Sequence, residues 1–258
     1  MKLITLLFHR IEDTPSELLE VSSVLFKSVI RLCTNSQFPV VTLREMKNIS
    51  SQNRENHLSF TFDDGWQSDY NVAFPLLMKN HLKATFFVNP GNVGEKGFLK
   101  WEQIKEMNSE GMEIGSHGQS HRYLTLLPQK EVYEELYAAK REIEDQLGKE
   151  VVGLAIPGGE YNKNILKTAR EIGYKMISIS RPGVNQEPFD VICRVSIHAK
   201  SSESEIEKIL KFSSLTFAEM QVSYFSRALF KRMLGLEKYM KFRDWILNMG
   251  GAVNHENK

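Results

Sequence analysis

Short runs of β-branched and aromatic residues alternate with longer stretches of helical periodicity along most of the chain. Strands are predicted at LITLLF (3–8), PVVTL (39–43), LSFTF (58–62), KATFFV (83–88), MEIGS (112–116), VVGLAI (151–156), YKMISIS (174–180) and DVICRVSI (190–197). Helices are predicted from Ser16 to about Arg31, in WQSDYNVAFPLLMKNH, in WEQIKEMNSEG, from Gln129 to Leu147, in KNILKTAREIG, and after Ser202. Ser202 followed by Glu205 has capping-box spacing, and Gly111, Gly148 and Gly173 stand where helices should stop.

Strands apolar on both faces and separated by helices require a parallel sheet covered by helices, and about eight of them imply a closed or nearly closed barrel. In such a barrel a reactive site belongs at the C-terminal ends of the strands. The alternation stops near Ser213, so the expected division is a barrel over 1–212 and a tail over 213–258. In the tail Val222, Phe225, Leu229, Met233, Leu236 and Met240 recur at helical spacing among Arg227, Lys231, Arg232, Lys238, Lys241 and Arg243. This reads either as a helix packed on the barrel's outside or as a basic amphipathic segment resting on an anionic membrane or a partner protein.

Composition narrows the function classes. The 258 residues suit one large α/β domain, and 33 basic against 32 acidic residues leave a net charge of +1, so nucleic acid is not an expected partner. Cys33 and Cys193 have neither metal nor redox spacing and are expected as free thiols. The N-terminal apolar run is interrupted by His9 and Arg10, which fits a buried strand rather than a signal peptide. With no window of about 20 apolar residues, the expected location is the cytoplasm, with the inner face of the membrane as the alternative.

Two strand ends carry candidate chemistry. LSFTF runs into Asp63, Asp64, Gly65 and Trp66, which reads either as Asp-Gly turn chemistry or as a site. MEIGS runs into His117 and His121, four apart; such a pair converges on one divalent metal when it shares a turn, and a carboxylate from another strand end would complete three ligands.

TFDDG (61–65), SHGQSH (116–121), the ATFFV and GMEIGSH segments between and LAIPGGEYN (154–162) resemble the motifs of the polysaccharide deacetylases, the NodB-type carbohydrate esterases. The resemblance covers most of residues 3–198. It implies a distorted (β/α) barrel of about seven to eight parallel strands and a metal-dependent N-deacetylase of N-acetylated sugars. Asp64, His117 and His121 would bind one divalent ion, zinc first, with cobalt, nickel or manganese as alternatives, and Asp63 would be the general base. A carboxylate on a cation is held ionised, whereas its neighbour remains free to take a proton. A backbone N–H in Pro157–Gly159, at Gly158 by position, would be the oxyanion donor, with Tyr161 and Trp66 lining a sugar pocket.

The chain departs from the family's pattern twice. The family's arginine two residues before Pro157, which orients the base, is replaced by Ala155, and Arg194 is the candidate to take over that role from another strand, with a surface or structural arginine as the alternative; it is grouped here with the substrate-side residues. No L-x-x-H motif follows residue 180, whereas LLFH at 6–9 has that pattern. A circular permutation is therefore expected, with His9 as general acid and His198 as the rival. His57 and His81 read as surface or loop residues. The expected activity is removal of acetyl from an N-acetylhexosamine unit of a glycan or glycan precursor; a deformylase or cyclic-amide hydrolase, and a degenerate glycan-binding barrel, are the alternatives.

Overall fold

The structure is a computed structural model and describes residues 1–49, 55–235 and 238–239. Its strands are β1 (Leu3–Phe8), β2 (Ile11–Glu12), β3 (Val21–Ser22), β4 (His57–Phe62), β5 (Thr85–Val88), β6 (Glu113–Ser116), β7 (Gly153–Ala155), β8 (Met176–Ile179), β9 (Val191–Cys193) and β10 (Val195–Ser196). The helices are α1 (Ser23–Asn35), α2 (Leu43–Asn48), α3 (Phe74–Lys79), α4 (Trp101–Ser109), α5 (Gln129–Leu147), α6 (Lys163–Ile172), α7 (Glu203–Leu210) and α8 (Ser214–Leu234). A π-helical turn, Asp69–Ala73, leads into α3.

Eight strands form one parallel sheet in the order β10-β1-β4-β5-β6-β7-β8-β9. Its two edges, β9 and β10, are halves of the single run 191–196. Cys193 pairs with Ile179 on β8, whereas Val195 pairs with Leu6 on β1. The sheet thus curls into a nearly closed barrel whose seam is at Arg194. Below the seam Asn185 stitches the edges: its backbone exchanges hydrogen bonds with Leu3 (2.8 and 3.0 Å), and its side chain bonds Cys193 N (2.7 Å) and O (2.8 Å).

Alternation along the strands separates the two faces. Phe8, Phe60, Phe62 and Phe86 face outward; Phe26 of α1 meets Phe8 edge-on at 5.3 Å, and Phe62 stacks on Phe86 at 4.6 Å. The inward face begins with Thr5 beside Ser59, and with Thr61, Thr85 and Glu113 in register across three strands. Two or four residues further along these columns lie His9, Asp63, Asn89 and His117, so the strand period itself aims them at the barrel mouth. The lower end is sealed by α2. Leu43 N–H donates to Thr85 Oγ1 (3.1 Å) and Arg44 N–H to Glu113 Oε2 (2.9 Å), while Leu43 and Met46 join Leu3, Phe87, Ala155, Met176 and Ile192 in one core cluster.

Some predicted elements shift. PVVTL contributes only a bridge from Val40 to Leu58, because Thr42 is the N-cap of α2 in a full capping box with Glu45. The helix expected from Ser16 starts at Ser23, capped by Ser22. Ser16 and Glu17 instead donate their N–H groups to the buried Glu20 carboxylate at 2.5 and 2.9 Å. DVICRVSI is broken at Arg194, and His57, expected at the surface, is only 3% exposed at the start of β4, with Nδ1 against Glu55 O at 3.0 Å. Helix α5 has the predicted limits, and Gly148 and Gly173 end their helices in left-handed conformations. Ser202 caps α7 by accepting Glu205 N–H at 3.2 Å. Both cysteines are free and buried.

A second compact unit begins at Ser214, one residue beyond Ser213. Its described part is α8 with Gly235, Lys238 and Tyr239; Leu236, Met240, Lys241 and Arg243 of the expected tail lie outside the described residues. Among the described residues, no helix is long and apolar enough to cross a membrane.

Candidate metal centre at the barrel mouth

Adjacent strand residues point to opposite faces, so Asp63 and Asp64 share the mouth only because β4 ends between them. Asp63 keeps the strand's hydrogen bonding, its N–H donating to Phe8 O at 3.0 Å. The turn begins at Asp64, one residue before the glycine expected to supply it: Asp64 has φ +78° and Gly65 φ +73°. Left-handed backbone at a non-glycine residue costs on the order of 1–3 kcal/mol. Indole Nε1 of Trp66 donates to Asp64 Oδ2 at 3.1 Å, holding the turned carboxylate, and the Trp66 ring stacks on Phe98 at 4.5 Å.

The other Asp64 oxygen, Oδ1, is 3.4 Å from His117 Nε2 and 3.2 Å from His121 Nε2. Asp64, His117 and His121 offer ligand atoms that all lie within 4.8 Å of one another. His117 Nδ1 lies 2.8 Å from Ala155 O; this bond assigns the proton to Nδ1 and leaves Nε2 as the lone-pair nitrogen. The position lacking the expected arginine thus contributes through its carbonyl. His121 is on the solvent side of the set, also in left-handed backbone at φ +57°. Burial opposes charge on Asp64, but the imidazoles of His117 and His121 outweigh it and hold its pKa well below the usual range.

Asp63 sits beside this set, its Oδ2 3.9 Å from His117 Nε2. Both its oxygens are engaged by Arg194, Nη1 to Oδ1 at 2.6 Å and Nη2 to Oδ2 at 2.8 Å. Burial raises the Asp63 pKa, but Arg194 and then His117 overcome that and leave it lowered. Arg194 is 1% exposed, stands over the Phe87 ring at 5.5 Å, and directs Nε toward Ile179 O at 3.4 Å. The structure therefore corrects its grouping with substrate-side residues: it is behind Asp63, out of a substrate's reach.

His9, one step beyond β1, brings a ring whose Nδ1 is buried without a hydrogen-bond partner among the described residues. Burial lowers its pKa, while the charges of Asp63 and Asp64 pull it back upward, which places it in the same electrostatic neighbourhood. His198 is elsewhere engaged: its Nδ1 accepts Lys200 N–H at 3.2 Å within a turn. His81 lies in a loop at φ +54°.

In the PGG turn, Pro157 has no N–H and Gly159 N–H goes to Ile156 O at 2.9 Å, so Gly158 is the turn's candidate donor. Gly158 has φ +66°, and a Cβ there would meet the Tyr123 ring at 2.2 Å. Tyr161 is half-buried just beyond the turn.

Two supports were not legible as site residues. Asn89 Nδ2 donates to His117 O and, at 3.2 Å, to Gly118 O. Glu135 on α5 accepts Ser120 N–H at 2.6 Å and Ser120 Oγ at 3.0 Å, pinning the loop that carries both histidines. An acidic residue on the buried side of an otherwise amphipathic helix was the available signal.

The model of the family "Polysaccharide deacetylase" matches residues 50–177. A Bacillus subtilis (strain 168) protein, YxkH, itself assigned by name to the polysaccharide deacetylases, is 30% identical over 185 residues, covering 70% of this chain and 66% of its own length. The chain belongs to the polysaccharide deacetylase family. The peptidoglycan-N-acetylglucosamine deacetylase of Bacillus cereus is 29% identical over 157 residues, 58% of this chain and 71% of that one. Among solved structures, IcaB from Ammonifex degensii superimposes with a TM-score of 0.74 at 25% identity, over 82% of this chain and 96% of that one. These deacetylase names favour neither the deformylase nor the binding-module alternative.

Proposed function

We propose that this chain is a hydrolase that removes the acetyl group from an N-acetylhexosamine unit of a glycan or glycan precursor, releasing acetate. The observation that carries the reading is the division between two adjacent carboxylates: Asp64 faces two imidazole nitrogens, and Asp63 is held beside them by a buried arginine. A binding module has no use for the second carboxylate.

Asp64 Oδ1 is buried without a donor hydrogen bond, and the Nε2 atoms of His117 and His121 point at it, which is the donor set one divalent ion requires. Asp64, His117 and His121 would hold that ion, zinc being the first candidate and cobalt, nickel or manganese compatible with the same ligands. Its chemistry there is Lewis-acid polarisation of the amide carbonyl and of water.

The chain's own residues do the rest. Asp63 stays ionised because of Arg194, which fixes the carboxylate's direction while lowering its basicity, and it takes the proton of the attacking water. Gly158 N–H stabilises the oxygen on which charge develops. His9 gives a proton to the departing amine, and because burial lowers its pKa, its imidazolium is a stronger acid than a free one. Delivery of His9 by β1, between β10 and β4, supports the reading of a circularly permuted barrel.

The test is acetate release from N-acetylglucosamine oligomers and from lipid- or nucleotide-linked precursors, with Asp63→Asn compared at matched metal content. The wild type should release acetate, and the variant should be slower by about 10²–10⁴-fold. Equal rates in the two proteins would overturn the assignment.

A further inference from the structure

Trp66 stands at the barrel mouth, where an aromatic ring would serve a sugar as a stacking surface, but its N–H and its ring are already engaged by the protein. Indole Nε1 donates to Asp64 Oδ2 at 3.1 Å. Phe98 stacks on the ring at 4.5 Å with 20° between the planes, and the Arg10 guanidinium lies over it, 5.4 Å from its centroid. Arg10 is in turn held by the carboxylates of Glu12 at 2.5 Å and Glu20 at 3.3 Å. The backbone on either side of Trp66 is clamped as well. Leu99 N–H donates to Gly65 O at 2.9 Å, Gln67 N–H donates to Gly97 O at 2.8 Å, and Trp66 itself forms an antiparallel bridge with Phe98.

The two oxygens of Asp64 have separate surroundings: Oδ1 faces Nε2 of His117 and of His121, and Oδ2 takes the indole N–H. A donor on Oδ2 leaves Oδ1 as the ligand atom and fixes the rotation of the carboxylate. Asp64 also needs such a support, because its left-handed backbone at φ +78° persists only where the surroundings over-determine it. We propose that Trp66 is a positioning residue of the metal centre and not a sugar-stacking surface: its N–H holds Asp64 with Oδ1 turned to the ion, and Phe98 and Arg10 hold the ring in place. Arg10 directly follows His9, so the same contact ties the end of β1 to the turn after β4. The inference rests on the reading of Asp64, His117 and His121 as ligands.

The experiment is competition for zinc between the zinc-loaded full chain and a chelator of known affinity, with thermal melting of the metal-free proteins alongside. Trp66→Phe keeps an aromatic ring but has no N–H to give Asp64. It should bind zinc about 10- to 100-fold more weakly than wild type, with metal-free melting unchanged. Phe98→Leu, which keeps the donor and removes the stacked ring, should weaken zinc binding by a smaller factor. At saturating zinc, the KM of Trp66→Phe for N-acetylglucosamine oligomers should stay within about twofold of wild type. Unchanged zinc affinity in Trp66→Phe would overturn the inference, and a KM raised about tenfold beside it would make the ring a sugar-stacking surface instead. A wild type that takes up no zinc would overturn the ligand reading and this inference together. A wild type that binds zinc without releasing acetate would sink only the deacetylase reading, and the zinc comparison would still decide the role of Trp66.

Discussion

The guanidinium of Arg194 grips both oxygens of Asp63, at 2.6 and 2.8 Å, across 131 residues of sequence and at the seam where the barrel closes. The pairing links fold to chemistry: the residue that breaks the last strand run into β9 and β10 also orients the candidate base. Removing one partner of a buried pair leaves an uncompensated charge and costs about 3–5 kcal/mol. Arg194→Ala should therefore lower stability by that order in denaturant unfolding. It should also raise the Asp63 pKa, moving the acidic limb of the pH–rate profile upward. Arg194→Lys keeps the charge but loses the fork, and should keep more stability than activity. An unmoved acidic limb in both variants would separate Arg194 from the base.

Histidine substitutions distinguish the permuted arrangement from a C-terminal acid. His9→Ala should reduce kcat by about 10²–10⁴-fold while the protein binds metal stoichiometrically. His198→Ala, in a turn where the ring Nδ1 accepts Lys200 N–H and lies 3.5 Å from Ser201 Oγ, should change kcat by less than about threefold. The check is steady-state kinetics alongside metal analysis of the same preparations, and a reversal of the two effects would move the acid to His198.

What could be read in advance follows from how local each signal is. Asp63, Asp64, His117 and His121 stand at abrupt ends of apolar strands, so strand period and motif spacing located them. The limits of α5 were equally plain, because 19 residues of uninterrupted periodicity end at a glycine. Arg194 stands out in the sequence as an isolated charge inside VICRVSI and as the stand-in for the arginine missing at Ala155; that such a residue needs a buried partner follows from physics, but its meeting with Asp63 depends on barrel closure. Ser16–Glu20 has helical composition yet is not helical, because the Glu20 carboxylate captures the backbone N–H groups of Ser16 and Glu17, a local side-chain-to-backbone arrangement that overrides propensity. Glu135 shows in the sequence only as an acid on the buried side of α5, and Asn89 not at all, because their partners, the Ser120 N–H and hydroxyl and the His117 and Gly118 carbonyls, are brought to them by a loop distant in sequence.

The loop carrying the histidines should be sensitive to Glu135. Ser120 N–H and Oγ both donate to its carboxylate, one residue before His121 in its left-handed conformation. Supports of this kind typically contribute 10–100-fold to metal affinity. Glu135→Ala should weaken zinc binding to the chelator-stripped protein by about that factor in calorimetric titration. Glu135→Gln, which keeps an acceptor for Ser120, should recover much of it. Unchanged affinity in the alanine variant would show that the loop holds itself.

Gly158 is under two constraints at once. Its φ of +66° disfavours any side chain, and a Cβ would overlap the Tyr123 ring. Gly158→Ala should destabilise the protein by about 1–3 kcal/mol and lower kcat by displacing the turn's N–H. Adding Tyr123→Ala removes the overlap but not the backbone strain, so thermal stability should recover only in part. Complete recovery would mean that the ring alone demands glycine.

Asp69 gives a pH dependence away from the ligands themselves. It is fully buried on the π-helical turn; burial first, and then the charges of Asp64 and Asp63, push its pKa well above the ordinary carboxylate value, with the Trp66 N–H opposing. The folded state therefore keeps a proton that the unfolded chain releases above about pH 4. Asp69's contribution to stability is whole below that pH and declines as pH rises toward the raised folded pKa. Asparagine matches the protonated shape and has no charge to form. In metal-free protein, Asp69→Asn should melt a few degrees higher than wild type at pH 8, and the difference should fade as the pH is lowered toward 4. Melting curves of both proteins across that range decide it: a gain that is constant with pH would mean that Asp69 does not change ionisation on folding.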